Sequence, residues 1–301
     1  MITVVLTTYN RCHLLPRAVQ SVLDGDYDNF ELLIIDDASS DDTPSVVSKL
    51  NDPRIRYLRQ PENGGVLRAR NRGFDAARGD YVVLLDDDDE LVPTALSSVV
   101  KDAQAAALQG VDILWFDCVD AESRQLSGYV PTPNGIIEFD DYVCGRIHGD
   151  FWLVFGKEAL DGHRFDETLR AHESLLWLRI HRTRRARHIA KTVCRKYRNH
   201  GGERLCDMNV RVRQMAQTTL AMTHFIREFG GDLARLCPSS LGARLAYLGL
   251  HQMAINEFVA GRRSLARSFK YRRSLKYALM YPLSFFLSAA QVSALIARME
   301  P

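Results

Sequence analysis

The chain has 301 residues, 46% hydrophobic and 25% charged, with a net charge of +2. This is the composition of a folded globular protein, one large domain or two close halves, and it excludes a disordered chain or a small scaffold that needs disulfide staples. The charge is uneven: residues 1–110 carry 11 basic and 18 acidic side chains, residues 111–205 carry 15 and 14, and residues 206–301 carry 13 and 5.

Residues 2–6 (ITVVL) read as a buried first strand. Leu15, Ala18, Val19, Val22 and Leu23 then recur at helical spacing. FELLIIDD is a second strand that ends in acids, and Thr43–Pro44 reads as an N-cap and first helical residue. IRYLR (55–59) is a short third strand, NGG (63–65) a turn, and 66–78 a helix stopped by Gly79. YVVLL is a fourth strand, followed by the acids Asp86 to Glu90. Strands alternating with helices predict an α/β fold: a parallel sheet with helices on both faces. Ligands of such sheets sit beyond the carboxyl ends of the strands. That edge should gather Thr7, Asp37 and Asp88, and an accumulation of carboxylates there suits a divalent metal carrying a polyphosphate.

From about residue 110 the pattern changes. VDILWFDCV (111–119) and WLVF (152–155) read as strands, 173–182 as a helix, and the chain after Cys206 as helical. Three regions are expected: 1–110, 111–205 and 206–301. The six cysteines form no CxxC pair, so reduced thiols are expected. The N-terminus lacks the basic and apolar regions of a signal peptide. No acid lies between Glu257 and Glu300, whereas Arg262, Arg263, Arg267, Lys270, Arg272, Arg273 and Lys276 cluster ahead of an uncharged stretch, 277–297. Pro282, Gln291 and several serines make that stretch a poor membrane span. Helices packed on the domain or lying at a membrane surface are expected instead. No nucleic-acid-binding motif is present, and no nucleic-acid partner is expected.

VVLTTYNRCHLLPRAVQSVL, FELLIIDDASSDDT and NGGVLRARNRGFDAARGDYVVLLDDDDEL, in this order, resemble the nucleotide-sugar half of family-2 glycosyltransferases with the GT-A fold, a Rossmann-like, mostly parallel sheet. FDETLRAHESLLWLRIHR and KYRNHGGE continue the likeness more weakly. The resemblance implies transfer of a sugar from a nucleoside diphosphate, UDP favoured, to an acceptor hydroxyl with inversion, using Mn²⁺ or Mg²⁺. It implies a saccharide or lipid-linked acceptor, as in cell-surface polysaccharide or glycolipid synthesis. A cytoplasmic location follows, with a peripheral position at the membrane's cytoplasmic face as its extension.

The resemblance also implies roles. Asp86, Asp87 and Asp88 match the DxD region, with Asp88 as metal ligand and Asp86 or Asp87 near the ribose. Asp37 is expected against the base, and Thr7 and Tyr9 in the same pocket. One of Arg68 and Arg70 would reach the phosphates while the other pairs with an aspartate. Glu173 is the expected general base, where family members commonly carry Glu-Asp and this chain has His172–Glu173; His172 is a rival. His200 would lie near the metal, Arg198 near the diphosphate, and His148, Asp150 and Trp152 near the acceptor. Asp89 and Glu90 are expected to be solvated or capping. A nucleotidyltransferase making nucleotide sugars is disfavoured, because TTYNRCH is not a glycine-rich phosphate loop. A prenyl-chain synthase is disfavoured by the strands, which leaves a non-catalytic sugar-nucleotide or glycan-binding homologue as the other alternative.

Overall fold

The computed structural model describes residues 1–169, 172–197, 214–272 and 275–299. In chain order the first part holds β1 (Ile2–Thr8), α1 (Leu15–Leu23), β2 (Phe30–Asp36), α2 (Thr43–Ser48), β3 (Ile55–Arg59), α3 (Val66–Ala76), β4 (Tyr81–Asp86), β5 (Glu90–Leu91) and α4 (Ala95–Ala107). There follow β6 (Ile113–Asp120), β7 (Gly128–Tyr129), β8 (Ile136–Ile137), α5 (Phe139–Val143), β9 (His148–Gly149), β10 (Phe151–Gly156), α6 (Ser174–His181) and β11 (Ala186–Lys196). Five helices complete the description: α7 (Met215–Leu236), α8 (Pro238–Ala254), α9 (Phe258–Ser268), α10 (Leu275–Leu283) and α11 (Ala289–Met299).

The main sheet runs β3-β2-β1-β4-β10-β6-β11-β5, with β8 also on β11. β1, β2, β3 and β4 are parallel; the apolar runs of β1 and β2 suit strands covered on both faces, whereas β3, with Arg56 and Arg59, lies at the sheet edge. Every residue of β1 and β2 is buried. α3 lies close on β1 at Gly73, where a Cβ would come within 2.2 Å of Val5 Cγ1. The helix ends at Ala76, before the expected stop at Gly79. Likewise the N-cap of α2 is Asp42, and Thr43 is already helical.

Two features were not expected. β10 enters antiparallel between β4 and β6, so the strands beyond residue 110 extend the sheet begun by β1–β4. β11, eleven residues long, pairs parallel with β6 and antiparallel with β5 and β8.

The chain divides into two compact units, Met1–Tyr142 with Arg146–His200, and Val143–Gly145 with Gly201–Pro301. The second unit is helical where described, around Ala246, Leu250, Met253, Leu265, Met280, Val292 and Ile296. It contains a disulfide, Cys144–Cys237, with Cα atoms 5.9 Å apart, which corrects the expectation of reduced thiols throughout. Its partners are 93 residues apart in sequence and match no local spacing motif. None of the described helices is long and apolar enough to cross a membrane.

One buried contact behind the sheet makes a pH-dependent prediction. His181 Nδ1–H donates to the Trp177 carbonyl (2.6 Å), and its Nε2 accepts the Trp115 indole N–H (2.8 Å). Both ring nitrogens are committed in the neutral form, and burial pushes the imidazole down to about 4. The unfolded chain therefore binds the proton first as pH falls. This stability is complete above the ordinary histidine value of 6.5 and is lost as pH falls toward 4. The shift corresponds to at most roughly 3 kcal/mol. Urea unfolding at pH 7 and at pH 5 should show a steeper loss for the wild type than for His181→Gln; equal losses would contradict the assignment.

Candidate active site

The parallel strands bring their carboxyl ends to one edge. Thr7 pairs in register with Asp86 and Thr8 with Asp36. The Asp37 N–H donates to the Thr8 carbonyl (3.0 Å), and the Thr8 hydroxyl to Asp87 Oδ2 (2.8 Å). The expected gathering of Thr7, Asp37 and the Asp86–Asp88 run at one edge is present in the structure.

A row of four aspartates repels itself unless cations are interleaved, and three basic side chains do this. Arg11, from the loop after β1, reaches Asp87 Oδ1 (2.9 Å) and Asp88 Oδ2 (3.0 Å). Arg70, buried on α3, reaches Asp86 Oδ1 (2.7 Å). Lys196, at the end of β11, pairs with Asp89 and lies 3.6 Å from Asp86 Oδ2. Burial raises the pKa of Lys196's carboxylate partners and opposes its own charge, but the attraction of Asp89 and Asp86 prevails and holds Lys196 protonated well above its ordinary value. Asp86 is the reverse case: burial pushes it up, yet Arg70 and Lys196 hold it well below the usual carboxylate range. For Asp87 burial wins over Arg11 and Thr8, and its pKa rises to about 6.

Asp89 is 3% exposed, and Glu90 accepts from Arg195 (2.8 Å) and the Tyr197 hydroxyl (2.6 Å). Neither is the solvated or capping acid expected; the pairing of β5 with β11 draws both inward. Asp86, Asp88 and Asp89 offer carboxylate oxygens within 4.8 Å of one another. An all-oxygen donor set suits a hard divalent cation such as Mg²⁺ or Mn²⁺, so the residues fit the metal that the resemblance implies. The set differs from the expected pair: Asp89 joins Asp88, and His200 lies outside the described residues, as does Arg198.

Glu173 forms the N-cap of α6, and its carboxylate is paired with the same Arg70 that holds Asp86. Arg70 is thus the arginine that pairs with an aspartate, whereas Arg68 is half-buried and pairs with Glu62 (3.0 Å). His172, beside Glu173, has φ 82, and Asn10 and Ala38 on the neighbouring loops have φ 53 and 63. Half of the six non-glycine residues with positive φ among the described residues therefore border this edge, as strained backbone does at functional sites.

Two expected roles are corrected. Asp37 receives Gln60 Nε2 (2.6 Å), Asn63 Nδ2 (2.9 Å) and the N–H groups of Gly64 (2.9 Å) and Gly65 (2.8 Å). A carboxylate has about four lone-pair sites, so none remains for a base N–H; Asp37 holds the turn that starts α3. Trp152 is a core side chain whose indole N–H donates to the Leu84 carbonyl (2.7 Å), so it offers no surface to an acceptor. Tyr9, in contrast, is exposed beside buried Thr7 at the edge. His148 and Asp150 are exposed. The interleaved cations Arg11 and Lys196 were not anticipated; only the place of Lys196 as first residue of KYRNH hinted at a role.

Residues 3–153 match the family model described as Glycosyl transferase family 2, half of the chain. The chain belongs to this family. The chain is 35% identical over 188 residues to the GalNAc(5)-diNAcBac-PP-undecaprenol beta-1,3-glucosyltransferase of Campylobacter jejuni, a match covering 60% of each chain. It is 32% identical over 190 residues to the succinoglycan biosynthesis protein ExoO of Rhizobium meliloti, covering 59% of this chain and 54% of that one. This family-2 chain thus matches little more than half the length of these relatives. Among solved structures it resembles S. aureus TarS 1–349 in complex with UDP-GlcNAc, with TM-score 0.59, 16% identity and 89% of each chain covered. The mannosyltransferase PcManGT of Pyrobaculum calidifontis, solved with GDP-Man and Mn²⁺, gives TM-score 0.56 at 21% identity, covering 98% of this chain and 85% of that one. These likenesses establish the GT-A fold.

The interleaving is testable without a substrate. Lys196→Met should destabilise the fold by roughly 3 kcal/mol, the cost of leaving a buried charge without its partner. Mn²⁺ should raise the melting temperature of this variant more than that of the wild type, because a bound cation takes over the neutralisation. Equal metal shifts in both proteins would argue against a shared cation position.

Proposed function

We propose that the chain is an inverting, metal-dependent glycosyltransferase that moves a sugar from a UDP-sugar to a hydroxyl of a lipid-linked saccharide. The observation that carries this reading is the closeness of the Asp86, Asp88 and Asp89 oxygens at the strand ends, with Glu173 joined to Asp86 through Arg70. The donor class is supported by the UDP-GlcNAc complex of TarS, and the acceptor class by the undecaprenol-linked substrate in the name of the Campylobacter relative.

In this reading Asp86, Asp88 and Asp89 hold Mg²⁺ or Mn²⁺, which when bound neutralises charge on the diphosphate leaving group. Tyr9 offers an exposed ring to the base, and Thr7 lines the pocket. Asp87, fixed by Thr8 and Arg11, serves the ribose. Arg68 serves the phosphates, and Arg198 and His200 are carried forward for the diphosphate and metal from the resemblance alone. Glu173 accepts the acceptor hydroxyl's proton as the new C–O bond forms at the anomeric carbon and the bond to the β-phosphate oxygen breaks on the opposite face. Arg70 is a positioning residue, since it holds Glu173 at a fixed distance from Asp86.

The second unit supplies a membrane contact in the same reading. Phe286 is 86% exposed beside exposed Phe285, Leu283, Leu279 and Val259. Arg262 lies over the Phe285 ring (4.1 Å) and donates to the Ser284 carbonyl (2.8 Å). Exposed aromatics among arginines suit an anionic lipid surface.

Three measurements test these assignments. UDP should raise the melting temperature only with Mn²⁺, and Asp88→Ala should abolish that shift; an equal shift without metal would overturn the metal's role. Glu173→Gln should keep UDP binding while transfer falls ~10²–10⁴-fold, the usual contribution of a general base; near-full transfer would place the base elsewhere. The full chain should sediment with phosphatidylglycerol vesicles, and Phe285→Ser/Phe286→Ser should remove this, whereas undiminished sedimentation of the double variant would place the contact elsewhere.

A further inference from the structure

A two-stranded ribbon, β7 with β9, stands apart from the main sheet, with Tyr129 directly opposite His148. Their rings stack, with centroids 5.2 Å apart and planes 26° from parallel. Directly opposed cross-strand residues share one face of a ribbon, and both of these are exposed, Tyr129 by 54%. Stacking usually accompanies burial of aromatic area; here both stacked side chains stay exposed to water.

The ribbon is held rigidly. The Ser127 N–H donates to the Cys118 carbonyl of β6 (2.8 Å), and the Asp150 N–H to the Ser127 carbonyl (3.0 Å). Gly149 has φ +92, and a Cβ there would come within 2.1 Å of the Ser127 oxygen, so the tight crossing of the strands requires glycine. Asp150 leads directly into β10. Because β10 runs antiparallel to β4, its first residues lie at the end of the sheet where β4 terminates in Asp86. The Trp152 indole bonded to the Leu84 carbonyl fixes that alignment. The ribbon therefore stands at the same sheet edge as the carboxylates, on the β6–β10 side, whereas Thr7 and Tyr9 end β1 on the other side of β4.

We propose that Tyr129 and His148 form a platform for a pyranose ring of the acceptor saccharide. A pyranose has a face of axial C–H bonds and a rim of hydroxyls. An exposed aromatic face packs against the C–H side and leaves the hydroxyls to water and to polar neighbours such as Asp150. This deepens the glycosyltransferase reading and rests on it for the identity of the ligand as acceptor. The stack is also the arrangement that would merely brace the ribbon, and the test separates the two.

The probe is a panel of methyl pyranosides of glucose, galactose, mannose, N-acetylglucosamine and N-acetylgalactosamine, each at millimolar concentration with the full chain. Binding is read by saturation-transfer NMR in the presence of UDP and Mn²⁺. At least one pyranoside should show transfer concentrated on its axial C–H protons. Tyr129→Ala and His148→Ala should each weaken its binding about three- to tenfold, the range expected for loss of one aromatic contact. Tyr129→Phe should retain it. No transfer from any of the five sugars, or transfer unchanged in both alanine variants, overturns the platform. Loss in the alanine variants accompanied by a fall in melting temperature in both, which the ring-preserving Tyr129→Phe does not share, assigns the pair a bracing role instead. The UDP shift measured on the same samples reports on the donor reading independently, so failure of the platform leaves that reading standing.

Discussion

Four consecutive carboxylates at the end of a buried strand can stay there only if cations reach them from elsewhere. Taking a charge out of water costs several kcal/mol per ion unless it is paired. Here the pairing comes from three separate places: Arg11 after β1, Arg70 on α3 and Lys196 at the end of β11. Much of the first unit's architecture serves this delivery. β5 binds β11 so that Glu90 faces Arg195 and Lys196 arrives at Asp89. Gly73 lets α3 lie close enough on β1 to carry Arg70 to the end of β4. Asp89 depends on Lys196 and Asp87 on Arg11, so the elements that carry these cations are tied to the stability of the edge itself.

Arg70 has a second consequence. One guanidinium holds both Asp86, in the carboxylate set, and Glu173, at the start of α6. The guanidinium is a planar fork with donors in fixed directions. The separation of Asp86 and Glu173, the metal-side acid and the general base of the proposed reaction, is therefore set by one side chain. A lysine would supply the charge but not the geometry.

The first four strands and their helices were legible because each signal was local: continuous apolar runs for strands covered on both faces, and apolar spacing near 3.6 for α1 and α3. β11 was not, because ARHIAKTVCRK mixes charged and apolar residues and carries register irregularities between Ile189 and Cys194. The antiparallel direction of β10 depends on neighbours that its sequence does not name. Asp37 was correctly placed at the edge, but its role was misread. Its four donors come from Gln60, Asn63, Gly64 and Gly65, and only the folded turn shows that the carboxylate is saturated. Trp152 was expected near the acceptor from its place in the resemblance, whereas its position on β10 points it into the core. The carboxylates were legible as a type, and their neutralising cations were not, since isolated arginines and lysines carry no local mark of a distant partner.

Charge counting connects the edge to its ligand. Among the described residues, the side chains in contact are five carboxylates, Asp86 to Asp89 and Glu173, and three cations, Arg11, Arg70 and Lys196. With every acid ionised the surplus is two negative charges, the charge of one divalent cation. Burial raises Asp87 to about 6 and Asp89 to about 7, so Asp89 lies closest to giving up its share. In the proposed reaction a diphosphate approaching such an edge alone would meet repulsion, which a divalent cation would offset. This is how an acidic strand end would serve an anionic ligand: the surplus left among the described side chains is the charge that a divalent cation brings.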